Sequence, residues 1–164
     1  FTRRGEGAGG ERREVSAVRF KQTALTKTGG PRQMTCVVPD PEEGDLVGES
    51  AGSSLVECYH EMKAGNSAER PVLILKNKKP TWDDNIKANC LDFSGRVTEA
   101  SVKNFQLCVH DMSGREEEGT GKVVLQFGKM GGDRFALDYS WPLSPLQALG
   151  IALASVDGKL CYTM

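Results

Sequence analysis

The 164-residue chain lacks an excess of charge of either sign: 21 Lys and Arg stand against 22 Asp and Glu, a formal net charge of −1. Global charge therefore gives no reason to expect nucleic acid or an anionic membrane as partner, although a local patch would escape that count. No apolar run approaches the roughly 20 residues a membrane span needs. The 5 cysteines (Cys36, Cys58, Cys90, Cys108, Cys161) never pair as C-x-x-C. That pattern favours buried free thiols in a reducing compartment over a disulfide framework or a zinc site. There is no N-x-S/T sequon and no signal-peptide pattern, which fits an intracellular protein. No H-E-x-x-H or P-loop is present, so a zinc hydrolase or nucleotide-cleaving enzyme has no motif to rest on. The chain opens on Phe1, and sequence upstream of it is expected.

What is present is an apolar stretch close to the end, WPLSPLQALGIALASV at residues 141–156. Ser144 suits an N-cap, Pro145 the first helical position, and Gly158 a left-handed C-cap. Leu146, Leu149, Ile151, Leu153 and Val156, with four small residues between them, carry no charge and leave no polar stripe. A helix apolar all round and too short for a bilayer belongs inside a core, enclosed on every side. Either further residues of the protein or another chain would have to cover it.

Residues 1–13 read as a flexible tail or loop remnant. Gly5, Gly7 and Gly10 match G-x-G-x-x-G, but no strand precedes them and no helix follows. Short alternating strands are expected over 14–22, 32–38, 71–75, 86–93, 96–110, 122–127 and 134–139, separated by Gly-, Pro- and Asn-rich turns. A short helix over 55–64 is expected, capped by Ser53 or Ser54 and ended by Gly65. Many short strands plus one buried helix predict a mainly β (α+β) fold, an antiparallel sandwich or barrel closed round the helix. Closure would leave no open strand edge.

GRVTEASVKNFQL (95–107) and VLQFGKMGGDRFALDYSWPLSPLQALGIALASVDGKL (124–160) resemble the signature segments of the tubby family. GPRQMTCVVP (30–39) and LILKNKKPTWDD (73–84) match in the same order. The resemblance spans about residues 14–160 and identifies 14–164 as the C-terminal half of a tubby-type domain. It implies an antiparallel twelve-stranded β-barrel enclosing a central hydrophobic C-terminal helix. It also implies binding of phosphatidylinositol 4,5-bisphosphate through a cationic site in the N-terminal half, upstream of this chain. Attachment to the inner face of the plasma membrane, traffic of membrane receptors to cilia and a nuclear role follow as family expectations. A DNA-binding, transcription-related role is the alternative, against which the net charge of −1 weighs.

Within the chain, Lys76, Lys78 and Lys79 form the one compact basic cluster outside the tail. They could serve a polyanion or, more plainly, a solvated turn before Pro80. Lys27, Arg32 and Lys103 could add to such a surface. Cys58/His60 and Cys108/His110 lack a third ligand or an orienting partner. Asp83-Asp84 and Glu116-Glu117-Glu118 read as surface carboxylates with nothing to raise a pKa. No catalytic residue, metal site or cofactor is expected. Cys161-Tyr162-Thr163-Met164 has the outline of a C-a-a-X box, but its middle residues are not aliphatic. Cys161 is therefore expected to be unmodified; mass spectrometry of the C-terminal peptide from native material checks this, and a farnesyl mass on it would refute it.

Overall fold

The computed structural model describes residues 2–4, 12–21, 33–42, 53–113 and 117–156. The strands are β1 (Thr2–Arg4), β2 (Arg12–Glu14), β3 (Ala17–Lys21), β4 (Gln33–Pro39), β5 (Val72–Asn77), β6 (Thr81–Asp83), β7 (Ala88–Cys90), β8 (Phe105–Val109), β9 (Val123–Gly131) and β10 (Arg134–Tyr139). The helices are α1 (Leu55–Lys63) and α2 (Pro145–Val156). Six strands make one antiparallel sheet in the order β10-β9-β8-β5-β4-β3. The pairs β1–β2 and β6–β7 form separate two-stranded ribbons.

Period-two alternation gives the sheet two usable faces. On β5, Leu73 and Leu75 join the core under α2, whereas Val72 and Ile74 join the core under α1. On β4, Met34, Cys36 and Val38 take the α2 side and Val37 the α1 side. Both helices are placed by their caps. Ser54 and Glu57 form a reciprocal capping box at α1, and Gly65, at φ +81°, follows its last turn. At α2 the Gln147 N–H donates to Ser144 Oγ (3.3 Å) and the Ser144 N–H to Gln147 Oε1 (2.8 Å). Gln147 Nε2 also donates to the Val15 carbonyl (3.2 Å), tying the helix start to the chain entering β3.

Helix α2 lies across one face of the sheet. Ala148, Ile151 and Ala152 are buried there with Leu75, Leu107 and Leu125. Phe127 stacks on Phe135 at 5.0 Å between ring centroids and extends the same layer.

Four expectations are corrected. First, the sheet is open: among the described residues no strand pairs with the outer edge of β10 or of β3. Six strands are too few to wrap a helix; closed barrels that hold one use about eleven. Second, the helix is covered on one side only. Leu149 is 48% and Leu153 52% exposed, Leu146 and Val156 are half-buried, and Ile151 alone of the five apolar positions is fully buried. Third, two long strands are shorter. Residues 86–93 yield only β7, because residues 84–87 turn, with Lys87 at φ +51°. Residues 96–110 yield only β8, because 96–104 pack on β9 as a loop. There Thr98 and Glu99 N–H groups both donate to the Lys129 carbonyl (3.1 Å each), and the Lys129 N–H donates to Asn104 Oδ1 (2.9 Å). Fourth, residues 1–13 contribute β1 and the start of β2 rather than a tail throughout. Gly158 and Cys161 lie outside the described residues.

The one-sided burial of α2 sets a contrast. Ile151→Ala is expected to cost about 2–5 kcal/mol of stability, whereas Leu149→Ala is expected to stay within about 0.5 kcal/mol. Urea unfolding midpoints of the two variants check this; equal losses would mean that both sides of the helix are covered in solution.

Candidate functional site

The basic cluster is delivered by β5 and the turn that follows it. Lys76 continues the Val72–Ile74 side of the strand, so it lies on the α1 face of the sheet, one step beyond the core. Its cross-strand neighbours are Thr35 on β4 and Cys108 on β8. The Lys76 side chain is only 16% exposed, a costly position for an ammonium without a partner. Its Nζ donates to Glu118 Oε2 at 2.8 Å, and that carboxylate is 62% exposed. Next to it, Lys79 Nζ forms a short contact with Glu117 Oε1 between two exposed side chains. Lys78 makes no ion pair among the described residues, yet it lies close enough to Cys108 to act on the thiol.

The acidic pair is held against the lysines by backbone. The Lys79 N–H donates to the Gly119 carbonyl (2.9 Å), while Thr120 closes the turn onto the Glu117 carbonyl through its N–H (3.2 Å) and its Oγ1 (2.8 Å). Gly119 sits at φ +81°, and a Cβ on it would fall 2.6 Å from the Asn77 carbonyl oxygen and 2.8 Å from the Lys79 nitrogen. Only glycine allows that approach.

Electrostatics follow this geometry. The hydrogen bond from Lys76 holds the Glu118 carboxyl below the usual carboxylate range, and His110 and Lys21 add to the effect. Burial, with Lys76 beside it, lowers His110, while Glu118 and Asp111 act the other way. Burial raises Cys108 against a smaller opposing effect of Lys78, and burial pushes Cys36 up to about 12. Neither thiol is tuned to act as a nucleophile.

A second polar network crosses the far half of the same sheet face. Gln106, Gln126 and Asp138 are aligned across β8, β9 and β10. Arg96 grips Asp138 through two bonds, Nε to Oδ2 at 3.0 Å and Nη2 to Oδ1 at 2.8 Å, and Gln126 Nε2 adds a third at 2.9 Å. Gln106 Nε2 donates to Gln126 Oε1 (3.0 Å) and to the Asp92 carbonyl (2.7 Å). This fixes the loop 92–96 to the sheet. It is a positioning network, in which the buried Gln106 Oε1 has no hydrogen-bond partner among the described residues.

The structure thus brings Lys76, Lys78 and Lys79 together, with Lys79 exposed and two of the three paired to carboxylates. Lys103 lies elsewhere, its Nζ 5.9 Å from the Phe135 ring centroid, and Lys27 and Arg32 fall outside the described residues. Cys58 is buried under α1 while His60 faces solvent, so the two do not meet. Asp84 is occupied by Trp82 Nε1 (3.1 Å) and lies 3.9 Å from Lys87. Among the described residues no group of three or more His, Cys, Asp or Glu could hold a metal ion, and no helix is long and apolar enough to cross a membrane. Sequence reasoning missed the pairing of the lysines with Glu117 and Glu118; the only signal available was the sign of the charge in the 117–118 loop.

The Tub family model matches residues 2–158. Over 165 residues the chain is 39% identical to "Tubby-like F-box protein 6" of Arabidopsis thaliana, covering 88% of this chain and 40% of the relative. It is 50% identical over 169 residues to "Tubby-like F-box protein 11" of Oryza sativa subsp. japonica (89% and 41% covered). It is 38% identical over 162 residues to "Tubby-related protein 1" of Mus musculus (94% and 27% covered). The chain therefore spans about two fifths or less of the length of these relatives.

The Arg96–Asp138 grip makes a pH prediction. Asp138 is held below its ordinary value, first by Arg96 and then by Gln126. A depressed carboxylate contributes stability that is present above its unfolded value and is lost as pH falls through the folded one. Stability is expected to decline below about pH 4, and Asp138→Asn is expected to flatten that acid limb while lowering stability at neutral pH. Denaturant midpoints measured from pH 7 to pH 2 check both; an unchanged acid limb would remove Asp138 from the account.

Proposed function

This chain belongs to the Tub family, and from that premise we propose that it is part of a non-enzymatic, phosphoinositide-binding adaptor. The match across residues 2–158 carries the reading. In this proposal the principal headgroup site lies in the longer protein, upstream of the region described, and holds phosphatidylinositol 4,5-bisphosphate by charge-assisted hydrogen bonds from basic side chains on rigid strands. The open sheet and the exposed side of α2 support the idea that more chain packs here in the complete protein. Binding would place the protein on the inner face of the plasma membrane, with traffic of membrane receptors, toward cilia where cells have them, as the process served. Release would return it to the cytoplasm or nucleus. Each lysine near an anionic leaflet contributes about 1 kcal/mol, so a few suffice for reversible attachment.

The full-length protein is expected to sediment with vesicles containing phosphatidylinositol 4,5-bisphosphate, to stay in solution with phosphatidylcholine vesicles, and to be released as salt rises. Equal behaviour with both vesicle types would overturn the lipid role. A steeply salt-dependent affinity for duplex DNA in its place would favour the transcription-related alternative.

A further inference from the structure

Lys76 presents an unusual arrangement. Its side chain is only 16% exposed, and its counter-ion is a carboxylate on an exposed turn. A buried charge needs a partner, but nothing requires that partner to be this one. Beside it stand Lys79, held by the adjacent residue of the same turn, Lys78 without an ion pair among the described residues, and Lys21, close enough to depress Glu118. Two lysines thus pair with two carboxylates that one short turn carries together, with Lys78 next to Lys79 in the chain and Lys21 on the same sheet face as Lys76.

We propose that the turn at Glu117 and Glu118 is a built-in stand-in for a multivalent phosphate anion, covering a four-lysine surface formed by Lys21, Lys76, Lys78 and Lys79. A ligand with two or more phosphates would displace both carboxylates at once. The spacing suits it: Lys76 and Lys79 each address a separate oxyanion, which a polyphosphate or a polyphosphorylated ring also offers. Glutamates each carry one charge and two acceptor oxygens, whereas a phosphate carries three acceptors and up to two charges, so exchange favours the phosphate once it is concentrated nearby. The two carboxylates are free to swing out, because both side chains are exposed (65% and 62%) while buried Gly119 keeps the turn itself in place. The anion could be a soluble inositol polyphosphate or a phosphoinositide headgroup. Only the second source rests on the lipid reading above; the surface itself stands on the ion pairs.

The test uses the full chain and three probes: inositol hexakisphosphate, inorganic tripolyphosphate, and vesicles containing phosphatidylinositol 4,5-bisphosphate. Isothermal titration with the soluble probes is expected to give about tenfold tighter binding for E117Q/E118Q than for wild type, and loss of that gain when K76Q and K79Q are added. Should the double variant fold poorly, E117Q alone touches only a pair of exposed side chains and is expected to gain about threefold. Unchanged or weaker binding by folded E117Q overturns the proposal. The imidazole of His110 supplies a local readout, since Lys76 and Glu118 both act on it and Asp111 lies beside it. Losing Glu118 should lower its titration midpoint, and bound anion should raise it again. A gain in affinity with His110 unmoved would place the anion elsewhere and also overturn the proposal. Vesicles separate the sources. If soluble probes respond and vesicles do not, the surface serves a free polyphosphate. If wild type and E117Q/E118Q bind vesicles equally and ignore the soluble probes, the lipid reading stands and the covering turn falls.

Discussion

The contact between α2 and the inner face of the sheet is the constraint on which the rest depends. Ala148, Ile151 and Ala152 meet Leu75, Leu107 and Leu125, and the small residues bring the helix backbone close. Burial of this kind contributes about 25 cal/mol per Å² of apolar surface and is the dominant favourable term in folding. It requires β5, β8 and β9 to be neighbours in register, and β5 is the strand on which the basic cluster sits. The position of Lys76 on the opposite face is therefore set by the packing of Leu75 one residue earlier.

The two faces have different tasks. One is apolar along its length and hides under α2. The other is divided: α1 covers Val37, Val72 and Ile74, and beyond its edge the sheet presents Lys21, Lys76 and the Gln106–Gln126–Asp138 row. On this face of the sheet the charged side chains of Lys76 and Asp138 thus stand beyond the apolar cluster that α1 covers. The loops that cross this region are fastened by their own backbone groups, at Thr98 and Glu99 on Lys129 and at Lys79 on Gly119. Beyond the core under α1, these loops are held by hydrogen bonds.

Local signals were legible in the sequence. Ser144 and Pro145 announce the start of α2 because capping is decided within one turn. The turn at Gly131-Gly132 and the alternation around it announce β9 and β10 for the same reason. That α2 would be left with an uncovered side was legible from its all-round apolar run; which residues stand on that side was not, since exposure is a property of what stands opposite. Alternation over 86–93 and 96–110 counted apolar residues correctly, but a strand exists only where a neighbour offers its backbone, and Lys129 offers its carbonyl to a loop. The three lysines were visible as a cluster. Their partners lie 38 and 42 residues away, across a sheet whose order no local pattern reveals.

Gly119 links backbone stereochemistry to the field above the surface. The hydrogen that stands where other residues carry Cβ lets the chain run within contact of Asn77 and Lys79. A methyl there would lift the loop away while leaving every ionisable group in the formula. Two chains of identical net charge, differing only at this position, would then show different potentials to an approaching ion. Composition counts the charges, and one missing carbon decides how many of them the solvent sees.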